Sequence, residues 1–255
     1  MVKGLDIFRA HFRDYADRYV LIGGAACDIA MTGAGLEFRA TKDLDIVLCV
    51  EALDAAFVNA FWVFVRAAGY QVQEKSTGQK QFYRFQKPKN ESYPFMLELF
   101  ARQPDMLEVA EGSHLTPLPM EEDVSSLSAI LMDTGYYAFI QSGRREVDGL
   151  PAVGAAHLIT LKARAWLDLT QREKNGEKID SKTIKKHKND VFRLYQILDP
   201  AIDPAAPETV KEDVREFISR MRVEEVDLKS LGLRTGTRDS ILGEIARVYR
   251  LAESE

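Results

Sequence analysis

Long apolar runs are absent from this 255-residue chain: no stretch of about 18 apolar residues occurs, so nothing reads as a membrane-spanning helix. Cysteine is nearly absent too. Cys27 and Cys49 both fall inside apolar stretches, where they read as small buried hydrophobes, and two such residues give no disulfide framework. Of the four histidines, His11, His114, His157 and His187, none stands at ligand spacing from a cysteine or a second histidine, which argues against a zinc site. Excess positive charge is also missing. A net charge of −5 argues against non-specific polyanion binding by the whole surface, while leaving room for a local basic patch. The opening segment, MVKGLDIFRAHFRDYAD, is amphipathic and charged and lacks the apolar centre of a signal peptide. The expectation is a cytoplasmic protein with no membrane partner.

What is present describes an ordinary globular chain, 46% hydrophobic and 29% charged, long enough for one large domain or two modest ones. Leu5, Phe8, Phe12 and Tyr15 recur at helical spacing and predict a helix over 5–17. A strand at 18–22, a glycine turn, a helix at 25–33 and a strand at 43–50 follow. Residues 53–68 predict a helix stopped by Gly69. Short strands are expected at 70–75, 81–86 and 93–100, and a helix at 121–132, after Pro117 and Pro119 interrupt regular structure. The segments 136–141 and 146–150, either side of a Ser-Gly pair, are expected to form a hairpin. From 153 on the pattern turns helical, at 154–169, 181–198, 207–221 and 237–252. This order gives an α+β fold: a small mixed β-sheet core with flanking helices over 1–152, then an α-helical domain over 153–255.

The chain is organised around residues 20–47, VLIGGAACDIAMTGAGLEFRATKDLDIV. An apolar strand breaks at Gly23-Gly24, where a helix begins. A glycine turn at a helix start is a place where phosphate oxygens settle, because backbone N–H groups point outward there. Further on, Asp43 and Asp45 alternate with apolar residues, so both point to one face about 7 Å apart. Two carboxylates on one face repel unless a cation sits between them. A third acid to complete such a site is Glu98, a lone charge in the apolar strand Phe95–Phe100. The competing readings are a turn-capping aspartate with a solvated neighbour, and an edge-strand glutamate facing water.

Gly-Gly, then about twenty residues, then Arg39-x-Thr41-x-Asp43-x-Asp45 and an apolar strand resembles the nucleotidyltransferase superfamily of DNA polymerase beta. Within it the chain is most similar to the abortive-infection (AbiE-type) toxin nucleotidyltransferases. The resemblance covers 20–100 best, with echoes at 150–198. It departs at Ala25, where the family carries a Ser or Thr whose hydroxyl contacts phosphate. The resemblance implies a sheet-based nucleotidyltransferase core and transfer of NMP from an NTP to an acceptor hydroxyl. Two Mg2+ ions, with Mn2+ as a substitute, would be held by Asp43, Asp45 and Glu98, which are also the catalytic residues. Gly23, Gly24, Arg39 and Thr41 would bind nucleotide. So would Lys162, in the helix Leu158–Arg164, and Asp190, which would hold Lys162 or the substrate. As residues alone, Arg39 can equally be an exposed loop arginine, Lys162 a snorkelling amphipathic lysine and Asp190 an acid at a helix start.

Residues 172–193 hold eight basic side chains against four acidic ones in an otherwise acidic chain. Such a stripe suits an RNA acceptor through phosphate contacts, or is a solvated lysine-rich turn. The expected partners are therefore NTP, an RNA (tRNA) acceptor and an antitoxin protein. The alternatives are a small-molecule acceptor of antibiotic type and a degenerate transferase that binds nucleotide or a partner without turnover.

Overall fold

The computed structural model describes residues 2–49, 54–72, 82–100 and 133–251. The expected helix at 121–132, Pro117 and Pro119 lie outside these, as does half of the expected strand at 70–75. The described chain runs α1 (Leu5–His11), β1 (Tyr19–Ile22), α2 (Gly23–Gly33), β2 (Asp43–Leu48), α3 (Ala55–Ala68), β3 (Gln71–Val72), β4 (Phe82–Gln86) and β5 (Met96–Phe100). It continues with α4 (Thr134–Ser142), β6 (Arg144–Val147), β7 (Leu150–Val153), α5 (Ala155–Lys174), α6 (Ser181–Tyr195), α7 (Glu208–Met221) and α8 (Arg238–Val248). The chain divides into two compact units. The first contains residues up to 121 and Arg144–Val153; the second contains Glu122–Gly143 and Gly154–Glu255. The chain thus enters the second unit for α4, returns for the β6–β7 hairpin and leaves again after Val153.

The first unit is built on a mixed sheet of seven described strands in the order β3-β4-β5-β2-β1-β7-β6. β1 runs antiparallel to β2, β2 parallel to β5, and β4 antiparallel to β5. Val20, Leu21 and Ile22 of β1 have no exposed surface, as expected of a central strand covered on both faces. Beside the sheet an aromatic cluster forms from α1 and α3. Phe12 and Phe64 pack with ring centroids 5.2 Å apart, and Phe61 meets Phe85 of β4 edge-on at 5.4 Å. α3 starts because the Asp54 carboxylate accepts the Phe57 N–H at 2.8 Å. It stops at Gly69, whose φ of 63° is the left-handed conformation that glycine adopts most readily.

The segment 136–141 is helical rather than a strand. Asp133 caps α4 by accepting the Tyr136 N–H at 2.9 Å, and Tyr136, Tyr137, Phe139 and Ile140 are all buried, at helical spacing. The hairpin lies further on, between β6 and β7. Its turn is Asp148-Gly149 with φ of 51° and 72°, the two positive φ values that a tight two-residue hairpin turn requires. In the second unit α5 to α8 are amphipathic, and their apolar faces meet in a core where Trp166 packs edge-on against Phe217 at 5.5 Å. The Tyr249 hydroxyl donates to the Ala156 carbonyl across the same core.

Candidate active site

Helix α2 begins without a cap of its own. The residue before it, Ile22, has no side-chain oxygen, and Gly23 enters the helix at φ 65°. The missing acceptor comes from the neighbouring strand: Asp45 of β2 takes the Gly24 N–H on Oδ2 at 3.2 Å. This places a carboxylate at the positive end of the helix dipole, where it is favoured. The approach is close enough to fix both glycines. A Cβ on Gly23 would overlap Asp45 Oδ2, and one on Gly24 would come within 2.6 Å of Thr41 Oγ1 and 3.7 Å of Arg39 Nη2. Gly23, Gly24, Arg39, Thr41 and Asp45 therefore gather at one helix terminus. Arg39, Thr41, Asp43 and Asp45 are all half-buried, and Ala25 is fully buried.

The sheet brings the third acid in. On the parallel β2–β5 pair, Asp45 stands directly opposite Glu98, and Asp43 opposite Met96. Asp43, Asp45 and Glu98 thus share a face by the alternation of each strand. The next strand adds a residue that sequence reasoning missed. Arg84 of β4 stands opposite Glu98 and donates from Nε at 2.9 Å and Nη2 at 2.7 Å, both to Oε1. A charged row, Arg84–Glu98–Asp45, crosses three adjacent strands and ends at the N–H of Gly24 on the fourth element. The signal was a lone arginine in Phe82-Tyr83-Arg84-Phe85, matched by a lone glutamate in the next apolar strand.

Glu98 is only 8% exposed. Burial pushes its carboxyl well above the usual carboxylate range, and the Asp45 carboxylate and a hydrogen bond to it push the same way, against the pull of Arg84. Among the described residues no three His, Cys, Asp or Glu side chains converge tightly enough to cage an ion alone. The donors nevertheless fit magnesium. They are hard carboxylate oxygens on one face, and Mg2+ takes one or two carboxylates and completes its shell with water and substrate phosphate.

Lys162 of α5 and Asp190 of α6 lie in the second unit and form an ion pair of 3.3 Å, both essentially buried. Arg193, one turn along α6, meets the other oxygen of Asp190 at 3.2 Å. Of the basic side chains in 172–193, Arg172 is bound to Glu177 and Asp168, and Lys188 to Glu224. Lys174, Lys178, Lys182 and Lys185 are exposed. Both cysteines are buried, and His157 stacks on Phe139 with centroids 4.2 Å apart.

No family model matches the chain, and no curated protein matches it. Solved structures that show some likeness to the chain include the following two. One is an antigenic nucleotidyltransferase-like protein from Paracoccidioides brasiliensis, at 14% identity and a TM-score of 0.43, with 97% of this chain and 98% of that one covered. The other is the Cid1 poly(U) polymerase, crystallised as a mutant bound to MgATP, at 13% identity and a TM-score of 0.29, with 98% of this chain and 67% of that one covered. Likeness this loose carries no chemistry; the side chains above do.

Proposed function

We propose that the chain is a cytoplasmic, metal-dependent nucleotidyltransferase that moves NMP from an NTP to an acceptor hydroxyl. RNA, of the tRNA class, is the acceptor in this reading, and the protein acts as the toxin of a toxin–antitoxin pair. One observation carries the transferase reading: Asp45 accepts the N–H of the glycine helix start while lying directly opposite Glu98. A helix N-terminus and a carboxylate pair thereby occupy one place.

The residues divide the work by chemistry. Gly23 and Gly24 let Asp45 and Thr41 lie against the start of α2; triphosphate oxygens would take the remaining N-terminal N–H groups, and the Arg39 guanidinium adds a planar donor beside them. Thr41, whose hydroxyl lies against Gly24, orients the turn. Asp43, Asp45 and Glu98 would hold magnesium, which when bound supplies charge neutralisation for the triphosphate and acidifies the acceptor hydroxyl. The acceptor oxygen forms a bond to the α-phosphorus as the bond to the bridging oxygen breaks and pyrophosphate leaves. Glu98 takes the hydroxyl proton as general base. Lys162 is assigned to the triphosphate and Asp190 to holding Lys162, in keeping with their ion pair. The exposed lysines of 174–185 supply sequence-independent contacts to an RNA backbone.

The Arg84–Glu98 pair favours a second reading, nucleotide binding without turnover, because it already compensates the third acid. Pyrophosphate release separates the two. Wild type with Mg2+, each NTP and total RNA is expected to release pyrophosphate, and Asp43→Asn or Asp45→Asn to lose at least about a hundredfold in rate. NTP binding without release would establish the second reading, and label on a small hydroxyl compound instead of RNA would replace the acceptor.

A further inference from the structure

The row across the sheet contains a cation of its own. Arg84 and Glu98 expose 9% and 11% of their side chains, and two guanidinium N–H groups converge on the single oxygen Oε1. The strand register holds the two Cα atoms opposite each other, so the pair is built into the sheet and is not a chance contact of surface side chains. On its other side Glu98 faces Asp45. The guanidinium therefore sits one side chain from the proposed metal position and is permanently charged.

We propose that Arg84 is the resident counter-cation of this site, a positioning residue that a divalent ion must compete with to engage Glu98. This inference rests on the transferase reading above and deepens it, since it concerns how that site meets its metal. Arg84 neutralises the buried carboxylate when metal is absent, which lets two acids lie in register inside the sheet without an ion. The same positive charge weakens metal binding, so Arg84 sets the metal concentration at which the site fills. Removing it takes the guanidinium from Glu98 while the facing Asp45 carboxylate stays in register, and the site becomes a more avid one.

Mn2+ binding to the full-length chain, followed by electron paramagnetic resonance without nucleotide, tests this. The Arg84→Gln variant is expected to bind Mn2+ roughly tenfold or more tightly than wild type, because a like charge a few ångströms from a divalent ion costs affinity of that order. The Arg84→Gln/Glu98→Gln double variant is expected to lose the gain. Arg84→Lys keeps the charge without the two-pronged grip and should fall between wild type and Arg84→Gln. If Arg84→Gln does not fold by circular dichroism, the lysine variant decides: tighter binding than wild type supports the inference and equal binding overturns it. Binding by Arg84→Gln no tighter than wild type, or a gain that survives Glu98→Gln, overturns it as well. NTP incorporation measured in parallel keeps the two readings apart. Incorporation by wild type with unchanged Mn2+ affinity in Arg84→Gln removes the role of Arg84 and leaves the activity. Tighter Mn2+ binding with no incorporation from any NTP removes the activity and leaves Arg84 as the counter-cation.

Discussion

Asp45 caps a helix and faces a second acid, so its substitution has two separable costs. Loss of the cap in Asp45→Ala should lower stability by about 1 kcal/mol, whereas Asp45→Asn keeps an acceptor for the Gly24 N–H. The glycine beneath it is more sensitive. Gly23→Ala places a Cβ against Asp45 Oδ2 at a φ of 65°, and should cost about 1–3 kcal/mol in urea denaturation together with most of the NTP turnover. Glu98 gives a pH signature. Its native carboxyl titrates above the ordinary value of 4.5, so the stability it contributes is fully present below 4.5 and is lost as pH rises through the higher native value. Glu98→Gln should remove this slope, leaving the variant relatively more stable than wild type at pH 8 than at pH 4, while abolishing transfer. Thermal melts across that range check it; an unchanged slope would mean that Glu98 is not the group responsible. Gly23, Gly24, Asp45 and Glu98, which the fold brings together, stand out in the sequence because lone charges in apolar strands and paired glycines are conspicuous. Arg84 was not singled out, since its partner lies fourteen residues away and only strand pairing makes them neighbours.

Whole elements were legible where burial and local preference agree. β1, β2 and β5 are apolar runs that become inner strands, and α7 and α8 bury apolar residues at helical spacing along their length. The helix expected over 5–17 ends at His11 and gives way to a short 3-10 turn at Arg13–Tyr15. The segment 136–141 failed the reading for a physical reason. Tyr136, Tyr137, Phe139 and Ile140 favour strands locally, but the Asp133 cap and a buried face at helical spacing outweigh that preference. The Asp148-Gly149 turn was the hairpin signal, and it lay just past the Ser-Gly pair given that role. Between α5 and α6, the buried Lys162–Asp190 pair shares the Asp190 carboxylate with a second cation, Arg193. Lys162→Met should lower unfolding free energy by roughly 1–3 kcal/mol, and adding Asp190→Asn should return part of that loss. Chemical denaturation measures both. If Lys162→Met is instead as stable as wild type, the pair has no structural role and any loss of turnover belongs to substrate contact.

For the molecule as a whole, an acidic chain with a lysine-bearing turn predicts how an RNA acceptor would be held. No described helix is long and apolar enough to cross a membrane. Replacing Lys174, Lys178, Lys182 and Lys185 by glutamate should raise the KM for RNA and flatten its dependence on salt, with NTP binding unchanged, because each lost phosphate contact reduces the salt slope by about one. A salt slope identical to wild type would place the acceptor elsewhere. A change from strand to helix patterning falls near 153, and the second unit resumes at Gly154. The exchange of α4 and the β6–β7 hairpin between units leaves no mark in the sequence, because sequence order carries no information on which unit a short element joins. The most direct test of the account is transfer itself: wild type and Asp45→Asn, each with Mg2+, α-labelled NTPs and total RNA. The account predicts labelled RNA and released pyrophosphate with wild type alone. Unlabelled RNA and no pyrophosphate from any of the four NTPs, or equal labelling by the variant, would contradict it.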